Sequence, residues 1–222
     1  MLKKWLSYLI PITVFEKKSE WSKNLEVTWN NGELVIDSKN TNYSYGSLQR
    51  ILRKGLKTLG YDRVVAMEHI LVLGVAGGSV IKTISEEIQY KGKITGVDID
   101  ENVIEIANKY FQLDKIPNLQ IVIDDAFEFV LKTKEKYNLI IIDIFQDTTM
   151  PNFLFESFFA KRIGFLLAES GVAMFNTMLL TEEDNIRNKN FISELKQLNF
   201  KVTVIPRIEQ HNELILFESA IR

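Results

Sequence analysis

The sequence predicts an α/β fold: a seven-stranded, mostly parallel sheet with an antiparallel last strand, and a small N-terminal β-hairpin appendage. Three observations carry that prediction. From His69 onward, short apolar runs alternate with amphipathic segments of helical length, the pattern of a parallel sheet covered by helices on both faces. The last two apolar runs, 200–205 and 213–217, are separated only by 206–212. That connection is too short for a crossover helix, so the two strands cannot be parallel neighbours. Before the alternation begins, Asn30-Asn31-Gly32 lies between the runs 25–29 and 33–37, a strong hairpin signal.

Taken in order, the chain opens with Lys3 and Lys4 ahead of a short apolar stretch that Pro11 interrupts. Without a small-residue cleavage site this is not expected to be a signal peptide. A strand at 12–15 is expected to join the hairpin. An amphipathic helix over 48–56 follows, and Gly60 can end it. Residues 1–60 thus read as an appendage plus helix, and 61–222 as the α/β domain. Within that domain the strands fall near 70–74, 93–98, 119–123, 138–143, 171–176 and the final pair. Helices fall near 78–90, 101–111, 126–134, 152–168 and 182–198.

Composition narrows the function classes. A chain of 222 residues suits one α/β domain with a sizeable core, and 46% apolar with 25% charged residues is ordinary for a globular protein. A net charge of −2 offers no electrostatic footprint for nucleic acid. Absent cysteines exclude disulfides, thiolate metal sites and thiol nucleophiles, and fit a reducing, cytoplasmic setting. No run reaches the length of a membrane span. His69 and His211 are isolated, so no metal site is expected, and the serines lack a nucleophile-elbow spacing. His69 falls at the far end of its strand; His211 falls in a loop on the ligand side.

Ligands of such sheets bind beyond the carboxyl ends of the strands. After the first strand comes Gly74-Val75-Ala76-Gly77-Gly78-Ser79, where backbone can approach a ligand closely and a helix N-terminus offers free N–H groups. It is not a phosphate-binding lysine loop, and Ala76 and Ser79 stand at two glycine positions of the nicotinamide fingerprint. Asp98 ends the second strand, where a carboxylate can take ribose hydroxyls, while Asp100 is expected to cap the next helix. Of Asp124 and Asp125, one can cap a helix and the other can accept from an adenine amino group. Asp143 emerges directly from the buried run 139–142, a place suited to cation recognition or to general-base work on an amine. Asp147 is the second candidate there. Each carboxylate has a plainer reading, as a solvated or backbone-held turn residue.

In order and spacing these pieces resemble the spermidine synthase-like branch of the S-adenosylmethionine-dependent methyltransferase superfamily. The resemblance rests on 71–79, Val97-Asp98-Ile99-Asp100-Glu101-Asn102-Val103-Ile104, Asp125-Ala126-Phe127-Glu128-Phe129, 137–143 and 171–176. It implies a Rossmann-like class I methyltransferase fold with S-adenosylmethionine, or its decarboxylated form, as cofactor. It implies that the turn Gly74 to Gly78 borders the amino-acid part of the cofactor, with Gly74 and Gly77 nearest. Asp98, next to Ile99, would hold the ribose; Asp125, next to Ala126, would lie near the adenine. Asp143 would face the acceptor, and Tyr45 and Gln49 from the appendage would line the acceptor pocket.

Two departures bear on the chemistry. Aminopropyltransferases of this family carry an acidic residue at the position of Gly77, suited to a decarboxylated cofactor. They also carry Asp-x-x-Asp-Pro-x-Gly-Pro after the fourth strand, where Gln146 here takes the second acidic position and Asp147 falls one residue late. Burying a diammonium substrate without several carboxylates is costly. The leading expectation is therefore methyl transfer to a small-molecule acceptor, catalysed through Asp143 and Asp147. Aminopropyl transfer to a diamine is the alternative. A non-catalytic nucleoside-binding protein and a nicotinamide-dependent oxidoreductase stand further back, the latter opposed by the antiparallel ending. The expected partner is a small-molecule acceptor, with neither nucleic acid nor membrane; a homodimer is left open.

Overall fold

The computed structural model describes residues 2–21, 23–38, 42–145, 149–209 and 211–219. A one-turn helix α1 (Leu2–Leu6) leads into four strands, β1 (Ile12–Ser19), β2 (Lys23–Asn30), β3 (Glu33–Ser38) and β4 (Asn42–Ser44). They form an antiparallel sheet in the order β1-β2-β3-β4. Asn30 pairs with Glu33, so the predicted hairpin turns on two residues. Both carry positive φ, Asn31 at 49° and Gly32 at 79°, as a twist-matched two-residue hairpin requires. The strand expected at 12–15 does join the hairpin, running on to Ser19, and β4 adds a further edge.

Helices α2 (Gly46–Leu59) and α3 (Tyr61–Val65) then deliver the chain to the main sheet. Its elements follow as β5 (His69–Leu73), α4 (Ser79–Lys82), β6 (Lys93–Asp98), α5 (Glu101–Phe111), β7 (Leu119–Ile123), α6 (Ala126–Lys132) and β8 (Tyr137–Ile142). After these come α7 (Ser157–Leu166), β9 (Leu167–Met178), α8 (Glu182–Gln197), β10 (Phe200–Ile208) and β11 (Asn212–Ser219). The strand order is β10-β11-β9-β8-β5-β6-β7. Strand β11 runs antiparallel to both its neighbours and the remaining pairs are parallel, as the short final connection required. From β5 the chain winds outward to β6 and β7, then returns to place β8 on the other side. The gap between β5 and β8 is therefore the topological switch point, where such sheets open a crevice.

Period-two alternation divides the core between the two faces. Ile70, Val72, Leu139, Ile141 and Met174 pack on one side with Ile51, Leu52 and Leu56 of α2, and with Leu25, Val27 and Ile36 of the appendage. Leu71, Leu73, Ile140, Ile142 and Phe175 pack on the other, with Phe159 and Ile163 of α7 and Phe191 of α8. Central strands buried on both faces explain why their sequences read as unbroken apolar runs.

Two helices differ from expectation. The segment predicted as one helix over 78–90 is α4 continued by a π-type turn at Thr83–Glu87. The segment predicted over 152–168 is a 3-10 turn at Asn152–Phe155 and then α7, broken at Glu156, whose backbone is extended. The cause is aromatic. Phe153 packs edge-on against Phe127 and Phe159, and Phe155 against Phe175 and Phe191. A continuous helix could not present both rings to those partners.

Candidate functional site

The carboxyl ends of β5, β6 and β8 bring the predicted glycine turn, Asp98 and Asp143 to one rim. Gly74 leaves β5 with φ at 87°, donating to the Val97 carbonyl at 2.9 Å, while the Asp143 N–H donates to the Leu73 carbonyl at 2.9 Å. A Cβ on Gly74 would overlap the Asp143 carbonyl oxygen. Glycine is thus required twice, by conformation and by the closeness of the β8 terminus. Substituting Gly74 with Ala is expected to cost about 3 kcal/mol, from strain and displacement of the β8 end. Melting should fall by about 5–10 °C; an unchanged melting temperature would show that the turn relaxes freely.

Beyond Gly74, Ala76 (φ 47°) and Gly78 (φ 78°) turn the chain into α4. One side chain holds this turn in shape. The Asp98 carboxylate accepts from the N–H groups of Val75 and Ala76, both at 2.9 Å through Oδ2, and from Asp100 at 2.9 Å through Oδ1. Burial pushes its carboxyl above the usual value, opposed by those three donors. Asp98 therefore organises the turn. Ile99 follows it, half-buried.

Asp100 is the cap of α5, accepting from Asn102 at 3.0 Å. Its carboxylate also takes the Ser19 hydroxyl from β1. Asp125 caps α6, accepting from Phe127 at 2.8 Å and Glu128 at 3.2 Å, both on Oδ1. Its Oδ2 accepts no hydrogen bond among the described residues. Asp124 serves locally, accepting from the Asp125 N–H at 2.9 Å. Ala126 opens the helix.

Asp143 follows β8 at the switch point. Its Oδ1 accepts from Asn176 Nδ2 at 2.8 Å, and its Oδ2 accepts nothing among the described residues. Burial raises its carboxyl from 3.8 to about 6, with the Asn176 bond pulling the other way. A carboxylate poised near neutrality, with one oxygen free, suits proton transfer. Asp147 and Gln146 lie outside the described residues.

The appendage residues take other positions. Tyr45 stacks on Phe111 with centroids 4.4 Å apart, and its buried hydroxyl has no partner among the described residues. Burial pushes that hydroxyl well above the ordinary tyrosine value. Its φ of 72° and ψ of −171° place it in a backbone region nearly reserved for glycine. Gln49 donates to Thr83 at 3.1 Å in the π-type turn. Neither side chain is hydrogen-bonded to the Asp143 cluster. Instead, the appendage reaches the rim through a residue that sequence reasoning missed. Ser44 of β4 accepts from the Ser79 N–H at 3.3 Å, at the start of α4. A Cβ on Gly77 would come within 2.7 Å of the Ser44 Cβ and 2.8 Å of Ile36 Cδ1.

His69 is structural. Its Nε2 lies 2.9 Å from the Thr95 hydroxyl, its ring packs on Tyr137, and burial lowers its pKa. The side chain of His211 is exposed. No cluster of metal-ligating side chains occurs among the described residues, and no helix there is long and apolar enough to cross a membrane.

Comparison with known proteins matches residues 53–219 to the spermine/spermidine synthase domain family. The polyamine aminopropyltransferase of Buchnera aphidicola subsp. Schizaphis graminum is 29% identical over 148 residues, 63% of this chain and 51% of that protein. The polyamine aminopropyltransferase of Saccharolobus solfataricus is 34% identical over 154 residues, 56% of this chain and 50% of that protein. The chain thus spans about half the length of these relatives. Among solved structures, a spermidine synthase in complex with the transition state analogue AdoDATO superposes with a TM-score of 0.71 at 18% identity. That match covers 95% of this chain and 75% of the other. Human methyltransferase-like protein 13 in complex with SAH gives 0.66 at 20% identity, covering 79% and 83%. Both likenesses establish the fold.

The expectation of methyl transfer as the main activity is corrected by the family match and the aminopropyltransferase relatives. The missing carboxylate at position 77 also has a steric account that does not involve cofactor charge. Gly77 sits under Ser44 and Ile36, so packing of the appendage dictates glycine there.

Proposed function

The chain belongs to the spermine/spermidine synthase domain family, and on that premise we propose that it transfers an aminopropyl group from decarboxylated S-adenosylmethionine to an amine, most simply a diamine. The observation that carries this reading is Asp143. It is a half-buried carboxylate whose Oδ2 accepts no hydrogen bond among the described residues and whose pKa is pushed up to about 6, and it sits at the sheet's switch point beside the glycine turn.

The rim residues fit a cationic adenosyl ligand. Oδ2 of Asp125, beyond β7, accepts no hydrogen bond among the described residues, Asp98 ends β6 at the edge of the turn, and Asp143 stands beyond β8. Three carboxylates around one crevice favour a positively charged ligand and disfavour an anionic one. In this reading Asp98 receives the ribose hydroxyls, Asp125 the adenine amino group, and the backbone from Gly74 to Gly78 borders the aminopropyl chain. When bound, the cofactor supplies a carbon activated by a sulfonium leaving group. Asp143 holds the acceptor as an ammonium, orients its nitrogen and takes the proton that nitrogen gives up. The acceptor must shed one proton to attack, so a base ionised above about pH 6 is matched to neutral conditions.

Calorimetric binding of the decarboxylated cofactor, S-adenosylmethionine, methylthioadenosine and NAD, combined with turnover on a series of diamines, tests the proposal. We expect tightest binding of the decarboxylated form and appearance of an aminopropylated amine. Tight nucleoside binding with no transfer to any amine would leave a binding protein instead. Binding of NAD alone would reject the site assignment.

A further inference from the structure

Beyond Asp143 itself, a line of neutral amides runs from it across β9 to the start of β11. Asn176 is fully buried near the end of β9, and Asn212 is buried as the first residue of β11. Asn212 is registered opposite Met178 and Leu214 opposite Asn176, so Asn212 and Asn176 stand as diagonal neighbours on adjacent strands. Asn212 Nδ2 donates to Asn176 Oδ1 at 3.1 Å, and Asn176 Nδ2 donates to Asp143 Oδ1 at 2.8 Å. We propose that Asn212 is a positioning residue, which locks the Asn176 amide in the one orientation that donates to Asp143.

Chemistry makes the direction of this line obligatory. An ionised carboxylate only accepts, so Asn176 must turn its amino group to Asp143. That leaves the Asn176 oxygen at the other end of the amide, buried and in need of a donor. Asn212 is the side chain that supplies it. Without such a donor the Asn176 amide gains little by facing Asp143 and can turn its oxygen toward the carboxylate. The charged form of Asp143 would then lose its hydrogen bond and face a dipole of the wrong sign. No charged side chain among the described residues contributes to the Asp143 shift, so the amide line is the main local influence on it apart from burial. The antiparallel strand thereby gains a role: its first residue arrives at the ligand rim from the opposite direction to every parallel strand.

This inference rests on the proposed function only in calling Asp143 the base, and its test separates the two. In the 222-residue chain carrying 13C-carboxyl aspartate, the Asp143 resonance is titrated in wild type, Asn212→Asp and Asn212→Ala. The carboxyl of Asn212→Asp, once ionised, offers Asn176 no donor. The Asp143 pKa is then expected to rise by about one to two pH units, because a hydrogen bond to the charged form is lost and a like charge is added nearby; Asn212→Ala, which adds no charge, isolates the first cause. Asn212→Ala should give a smaller rise, since water can replace the donor. If the chain transfers aminopropyl groups, the acidic limb of its kcat profile should move upward with the resonance, with cofactor affinity unchanged. At a pH low enough to protonate the new carboxyl, donation to Asn176 returns and the pKa displacement should shrink. An Asp143 titration identical in all three proteins overturns the inference, whether or not transfer is observed. Lost activity with an unmoved Asp143 titration would likewise reduce Asn212 to a structural residue. A shifted titration in a chain that transfers nothing would uphold the amide line and reject the proposed reaction alone.

Discussion

Replacing Asp143 with Asn is expected to cut aminopropyl transfer by about 100- to 10,000-fold, the range over which a positioned general base acts, while leaving cofactor affinity within about twofold. The substitution keeps the shape and the Asn176 hydrogen bond but removes the charge and the proton acceptor. It should also stabilise the fold at neutral pH. Burial raises the folded pKa from 3.8 to about 6. Between those values the folded chain therefore holds more protons than the unfolded chain. The contribution of this group to stability is fully present below pH 3.8 and is lost as pH rises through about 6. Above that pH, confining the ionised carboxylate costs about 3 kcal/mol. The neutral variant escapes that cost, so it should melt about 6–12 °C higher than wild type at pH 8, with the gap closing toward pH 4. A buried catalytic charge is commonly held at the expense of stability. In the same window, wild-type kcat/KM should climb with pH through about 6 as the base ionises. Full activity in Asp143→Asn would remove this residue from the reaction, and a lower melting temperature would contradict its burial as a charge.

Asp98→Ala is expected to fail differently, on stability and on cofactor binding together. The carboxylate satisfies three backbone N–H groups, from Val75, Ala76 and Asp100. Removing it leaves those donors to water or to nothing, at about 1–3 kcal/mol for each that stays buried. Melting should drop by more than about 10 °C. Loss of a charge-assisted partner for the ribose should weaken cofactor binding by about 10- to 100-fold. The two measurements report on separate roles. Unchanged melting would mean that Asp98 does not hold the glycine turn. Reduced melting with unchanged affinity would mean that it does not touch the ribose.

Much of the fold was legible because its signals are local. An Asn-Gly pair between alternating runs dictates a two-residue hairpin, and the structure turns there on Asn31 and Gly32. Apolar runs at β5 and β8 dictate strands buried on both faces, and a connection too short for a crossover dictates an antiparallel final strand. Asp100 is expected as a helix cap and caps; of Asp124 and Asp125, between which the sequence leaves the cap open, the structure gives it to Asp125. What was not legible depends on residues far apart in sequence. Asn176 left a trace, as a polar residue near the tip of an apolar strand; Asn212 left none, because its partner lies 36 residues away. Ser44 reaches Ser79 over 35 residues from an edge strand that no local pattern announced.

Gly77 marks the boundary between the two kinds of information. Periodicity, turn chemistry and the shortness of the last connection act on neighbouring residues, so the strands, their antiparallel ending and the carboxylates that follow them are readable from the chain alone. The strand order, and with it the switch point, is not. The resemblance adds that a glycine stands where aminopropyltransferases carry an acid, and the packed structure shows what surrounds that glycine. Ser44 and Ile36 close over it, so the space left by the missing side chain is taken by the appendage. Such steric exclusion exists only once two distant segments have packed.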